Sequence, residues 1–266
     1  MRHPGPASES GFALLIVLWT LVPIALLFVM LAATARSDAQ LTANLRNAAE
    51  IEAVADGAIY TAVFDLLQRG GAAPGIPPAV GRLSGAEASV QVVDQSGLVN
   101  PNIASPDLLG ALLLRLGADP AQAYRIAGAV ADWRAPGRRS ARRDIKAAQY
   151  QAAGLSYGPP GAPFETLGEL GDVLGMTPAL LAALAPHLTL YSDSDPDPAL
   201  ADPVVRAALR DLGFGERGDQ ATSQTVRITA VAQRSAGVRA IRSAVVRIGP
   251  SPNGRGWRVL AWDTLQ

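Results

Sequence analysis

The sequence predicts an α+β fold: a long N-terminal helix packed on an antiparallel sheet, with a large all-helical block inserted into that sheet. Three observations predict it. An uncharged apolar run over residues 12–33 passes without a break into an amphipathic helical pattern. Alternating apolar and polar residues mark one strand before residue 104 and three after residue 216. Between those strands lie short apolar segments, several of them opened by Ser-Pro, Asp-Pro or Thr-Pro. Strands on both sides of a helical block are the mark of an insertion.

The apolar run FALLIVLWTLVPIALLFVMLAA begins at Phe12, directly after Gly11, and carries no charge over 22 residues. At about 1.5 Å per residue it is long enough for a hydrocarbon core of about 30 Å, so the spacing predicts a transmembrane helix. The same helix is expected to continue to Arg69, with Leu41, Leu45, Ala48, Ala55, Ile59, Val63, Leu66 and Leu67 on one face, and to end at Gly70–Gly71. Pro23 lies inside it and is tolerated where no water competes for the freed carbonyl; a kink is expected there.

Residues 71–85 read as a Pro/Gly loop and Ala86–Asp94 as a strand. The block that follows opens at Ser105–Pro106, with the hydroxyl as N-cap and proline in the first turn. A second helix is expected behind Asp119–Pro120, then a basic loop, then ETLGELGDVLG and TPALLAALAPHL as short helices, an acidic proline-rich loop, and DPVVRAALRDLGF. The turns LGADP and LGMTP give these pairs the form of SAM-like or helix-hairpin-helix units. QTVRITAVAQR, VRAIRSAVVRIG and WRVLAWDTL close the chain as strands, the middle pair wet on one face. The organisation is therefore 1–11 leader, 12–33 membrane helix, 34–103 amphipathic helix and first strand, 104–215 inserted helical domain, 216–266 closing strands.

Composition removes several function classes. Cysteine is absent, which excludes disulfides, zinc–thiolate centres and thiol nucleophiles, and 23 basic against 23 acidic residues leave no global field for nucleic acid. Histidine occurs at His3 and His187 alone, so a Ser–His–Asp site would have to use His187, for which a packing or capping role is expected. No nucleophile–base constellation supports a hydrolase.

A short leader ending in Gly11, followed by Phe12 and a long apolar helix, resembles the class III signal of type IV pilins and pseudopilins. The resemblance implies cleavage between Gly11 and Phe12 by a prepilin peptidase, a retained anchor, and N-methylation of Phe12. Most members carry Glu at mature position five, and here that position is Ile16. An apolar residue there, with VVDQSGLVNPNIASPDLLGALLLRLG, AGAVADWR, YGPPGAPFETLGELGDVLGMTPALLAALAPHLTLYS and the closing VLAW, is similar to the minor pseudopilin K family of type II secretion systems. That likeness covers nearly the whole chain. It implies a non-enzymatic, single-pass protein of the bacterial inner membrane with its C-terminal domain in the periplasm. It also implies a place at the pseudopilus tip, with minor pseudopilins I and J as partners and a role in priming or capping assembly for protein export. A missing Glu fits a tip position, since a carboxylate with no subunit above it would stand unpaired in the bilayer.

The remaining motifs have plainer readings. Calcium is known at an acidic loop after DWR in the family, but APGRRSARRD keeps only Asp132 and Asp144 there, too few oxygens for a hard cation. Asp193, Asp195 and Asp197 sit in a proline-stiffened run without the glycine and glutamate of a calcium loop, and a solvated linker is expected. No cofactor is therefore assigned. Arg134, Arg138, Arg139, Arg142, Arg143 and Lys146 form the main basic run, read as a solvated loop face. The alternative function is a membrane-anchored helix-hairpin-helix DNA-binding protein of competence type. Glu169 and Asp172 beside the Leu174–Gly175 turn have the wrong sign for phosphate, so no nucleic-acid partner is expected.

Overall fold

The structure, a computed structural model, describes residues 9–69, 79–83, 85–135, 140–215, 223–234, 237–250 and 256–265. Helix α1 spans Glu9–Arg69 and runs through Pro23, giving a rod about 90 Å long. Pro23 has no N–H for the carbonyl of Trp19 one turn earlier, and the helical hydrogen-bond ladder is short by that one bond. Residues 14–49 of α1 are exposed throughout, so the upper half of the rod stands clear of the rest of the molecule.

The lower half is the core helix of an open antiparallel sheet, ordered β1 (Ala79–Leu83), β2 (Ala86–Asp94), β3 (Gln224–Gln233), β4 (Arg239–Ile248) and β5 (Trp257–Leu265). Ile51, Val54, Ala55, Ala58, Ile59, Val63 and Leu66 fall at i, i+3, i+4 spacing and are all buried. They meet alternate residues of the strands: Ala86, Ala88 and Val90; Val226, Ile228, Ala230 and Ala232; Ala244, Val246 and Ile248. Alanines on both sides let the helix lie close to the sheet, and each fully buried Ile or Val adds about 1.5–3 kcal/mol. Tyr60 packs against Trp257 and Trp262 with ring centroids 6.3 and 5.4 Å away, sealing the β5 side. Along the other margin Glu50 pairs with Arg46 (2.9 Å) and Arg234 (3.3 Å), and Arg242 with Glu52 (2.8 Å) and Asp56 (3.4 Å).

Between β2 and β3 the chain leaves the sheet and builds the helical block: α2 (Pro106–Arg115), α3 (Pro120–Arg134), α4 (Ser140–Ala152), a 3-10 turn at Leu167–Asp172, α5 (Pro178–Leu184), a 3-10 turn at Ala185–His187, and α6 (Pro203–Asp211). Four of these helices begin the same way, a capping side chain followed by proline: Ser105, Asp119, Thr177 and Asp202 each accept amide hydrogens of the first turn. Leu108, Leu109, Leu112, Leu113, Ile126, Val130, Trp133, Phe164, Leu170, Leu184, Val205 and Leu209 form its core.

The α+β class and the antiparallel sheet agree with the reading of the sequence, and three local expectations do not. A Pro/Gly loop was expected over 71–85, yet Ala79–Leu83 forms an edge strand. It folds onto β2 with Leu83 opposite Ala86, and Gly85 takes the turn at φ +76°. An edge position tolerates Gly81, which composition alone reads as loop. The basic stretch expected to be a loop is helical from Ser140, because Ala, Arg, Lys and Gln are strong helix formers even when charge hides an amphipathic pattern. ETLGELGDVLG closes into a 3-10 turn rather than an α-helix. Gly168 and Gly171 weaken the helix, and the capping box of Thr166 and Glu169 holds its first turn.

Candidate functional site

Two parts of the molecule carry functional information: the free upper half of α1 and the joint of loops at the heart of the helical block. The stem has a mean hydropathy of 2.9 over its most apolar 18-residue window, and none of that window is buried inside the molecule. Length and composition suit a single membrane span. Below it Leu41 and Leu45 remain 58% and 64% exposed on the helix. Both lie on the same side as Ile59 and Val63, which the sheet covers further down. An apolar stripe of this kind, uncovered above and covered below, is a surface for other helices. Gly11 and Phe12 lie in the first turns of α1; their side chains, and residues 1–8, are outside the described residues.

The motifs singled out in the sequence converge in space. In the segment Leu98–Ala104, Asn102 clasps the main chain of Phe164: its Nδ2 donates to the carbonyl at 3.0 Å, and its Oδ1 accepts the amide at 2.7 Å. Asn100 Nδ2 donates to the carbonyls of Ser192 (2.6 Å) and Leu190 (3.3 Å). Arg134, at the end of α3, turns back to donate to the carbonyls of Pro101 (2.7 Å) and Ala104 (2.6 Å). Each such bond from a charged donor is worth about 1.5–3 kcal/mol. Burial holds the Arg134 guanidinium below its ordinary pKa, and it stays charged. Trp133 stacks on Phe164 at 5.8 Å and 5° between planes, and the Tyr150 hydroxyl accepts the Leu174 amide at 3.1 Å. Gly97 passes so close to Leu200 that a Cβ would lie 2.4 Å from its carbonyl oxygen. These groups knot the loops together: the side-chain donors of Asn100, Asn102 and Arg134 are spent on the protein's own main chain, while the buried indole N–H of Trp133 has no hydrogen-bond partner among the described residues.

The candidate metal ligands are scattered. Asp132 pairs with Lys146, Asp193 with Arg247 at 2.7 Å, and Asp197 accepts the Ala199 amide at 2.8 Å, while Asp195 is exposed. The side chain of Asp144 is outside the described residues. Among the described residues no three His, Cys, Asp or Glu side chains come together as a metal site. The basic run also divides: Arg134 is the internal clasp just described and Lys146 is paired, so neither belongs to a solvated loop face. His187 Nδ1 donates to Asp202 Oδ2 at 2.7 Å, and the other oxygen of Asp202 caps α6. Burial of Asp202 opposes ionisation, but the bonds from His187 and the Val205 and Val204 amides outweigh it and hold the carboxyl below its ordinary pKa. His187 thus has the packing and capping role expected of it.

Sequence reasoning missed Asn100 and Asn102 as clasps, and Arg247. The signal for the first two was present: asparagines flanking proline in an otherwise apolar stretch have main-chain partners to find.

The family model for protein K of the type II secretion system matches residues 88–193, the segment that holds β2 and most of this knot. Over that segment, less than half of its length, the chain is similar to protein K. Its fold is also that of a chain in the crystal structure of the GspK-GspI-GspJ complex from the enterotoxigenic Escherichia coli type 2 secretion system. That match has a TM-score of 0.63 at 16% identity and covers 87% of this chain and 99% of the other. No curated protein sequence matches. The match over residues 88–193 and the shared fold agree with the resemblance to a minor pseudopilin K read from the sequence.

Proposed function

We propose that this chain is a minor pseudopilin of the K type, which sits at the tip of a type II secretion pseudopilus and primes or caps its assembly for export of folded proteins. It would be anchored in the inner membrane with its head in the periplasm. One observation carries the reading: α1 is a continuous rod whose upper half, residues 14–49, is exposed throughout and packs against no other element among the described residues, while its lower half is the core of the head. Such a rod is satisfied only by lipid and by equivalent helices of other subunits, with packing inside the bilayer and apolar stripes below it. Pseudopilins I and J are the expected neighbours. Ile16 in place of the usual Glu supports the topmost position, and the helical block, built as SAM-like hairpins on the far side of the sheet from the rod, gives the bulk that stops addition above it.

Processing by a prepilin peptidase between Gly11 and Phe12, with N-methylation of Phe12, follows from the same reading. Mass spectrometry of the mature protein from membranes is expected to find N-methyl-Phe12 as the first residue, with pseudopilins I and J co-purifying. An intact Met1, or cleavage after Ala35, would overturn it. The chain performs no catalysis in this scheme. Asn100, Asn102 and Arg134 of the motif knot spend their donors on main-chain carbonyls, which supports a structural role for them.

A further inference from the structure

The two hydrophobic cores of the molecule share no residue. The hydrogen bonds and ion pairs at the junction of the helical block and the sheet come from a few polar side chains and main-chain groups. Asp94 at the end of β2 is hydrogen-bonded to Gln224 at the start of β3, and the Gln95 amide donates to Thr225 at 2.8 Å. The other cross-links come from the sheet face turned away from α1. There Arg247 of β4 pairs with Asp193 (2.7 Å), donates to the Tyr191 carbonyl (2.9 Å) and reaches Thr225 Oγ1 at 3.5 Å. Arg227 of β3 lies over the Tyr191 ring, 6.0 Å from its centre. Arg258 of β5 stands directly opposite Arg247 in the ladder and is exposed.

Like charges directly opposite in an antiparallel pair destabilise it. Three arginines gathered on one end of a sheet need a compensating group, and among the described residues the carboxylate paired with Arg247 is Asp193 of the helical block. We propose that the loop Tyr191–Asp195 and the arginines 227, 247 and 258 form an electrostatic latch that sets how the helical block is held on the stem-and-sheet body. Joints without a large apolar interface move by default, so a few polar contacts decide the orientation. Asp193 is 61% exposed and Arg247 26%, which places the latch within reach of salt. At about 1 M ionic strength the screening length falls to about 3 Å, shorter than the arginine cluster. This inference is independent of the tip assignment: it concerns the shape of the head, whatever the head meets.

The cysteine-free chain allows a clean test. Exposed positions Ala179 on α5 and Gln233 on β3 are changed to cysteine, spin-labelled in the full chain in detergent micelles, and their distance distribution is measured. A narrow distribution is expected at low salt. It should broaden by about twofold at high salt and in Arg247→Asp, as for a joint released to its default motion. The charge swap Asp193→Arg with Arg247→Asp should narrow it again. Asp193→Asn, in an exposed loop far from both cores, must also broaden it, which guards against misfolding of the Arg247 variant. A distribution already broad at low salt, an unchanged width in Asp193→Asn, or a swap that fails to restore the narrow state would overturn the latch.

Discussion

The stem-and-sheet body and the helical block solve the same problem by different means. In the body, one long helix and four strands of nine or ten residues meet through periodic apolar positions, and little besides packing is needed. In the block, helices of 7 to 15 residues are too short to persist alone, since about 12–15 residues are marginal even for good helix formers. Its order comes from side chains that reach across loops to main-chain groups: Asn100, Asn102, Arg134, and Arg206, which donates to the carbonyls of Pro198 (3.0 Å) and Ala201 (2.7 Å). The difference teaches where a fold keeps its specificity. Regular elements carry it in their pattern, and a block of short helices carries it in a handful of loop residues.

The comparison is broken most directly at Trp133. The indole is 6% exposed, stacks on Phe164 and touches Tyr150 and Tyr157. Trp133→Ala is expected to cost about 4 kcal/mol by removing a core aromatic and leaving a cavity. Hydrogen exchange should show the loss in α2, α3 and α6 while β2–β4 keep their protection. Equal loss in both regions would mean that they unfold as one unit, and the contrast drawn between them would fail. The reciprocal variant is Ile59→Ala, at a fully buried position of α1, with an expected cost of about 3 kcal/mol. Its exchange signature should fall on β2–β4 and the lower part of α1 and spare the helical block.

The same contrast explains what was legible in the sequence. Helix α1 ends at Arg69, just before Gly70–Gly71, and Ala86–Asp94 is the strand that its alternation predicts, because periodicity is a property of the residues themselves. The caps at Ser105, Asp119 and Thr177 were legible too, since side chain and proline act within one turn. β1 was not, because its strand character comes from pairing with β2 and from no local preference. Helix α4 was hidden by its charge. The asparagines flanking Pro101 signal a need for main-chain partners, but nothing local says that Phe164 is the partner of Asn102, and no local pattern encodes the clasp of Arg247 on Tyr191. The resemblance to the protein K family marked GLVNPNIAS, DWR and FET as belonging together; only the coordinates give the reason, which is that Asn102, Arg134 and Phe164 meet.

The smallest expected effect sharpens the contrast at its finest point, the cap shared by His187 and Asp202. Asp202→Asn keeps a capping oxygen for the Val204 and Val205 amides and weakens the bond to His187, so it should cost about 1 kcal/mol near neutral pH. The sign of the pH dependence follows from the carboxyl. Its folded pKa lies below the ordinary 3.8, so its contribution is complete above that value and is lost as pH falls through the folded one. Denaturant melts of the block in acid should therefore show wild type and Asp202→Asn converging as pH drops below 3.8 and parting as it rises above. A constant gap across that range would mean that the charge of Asp202 adds nothing and that the cap works by geometry alone. The stem-and-sheet body, whose margin carboxylates Glu50, Glu52 and Asp56 lie far from this cap, should show no difference between the two proteins at any pH.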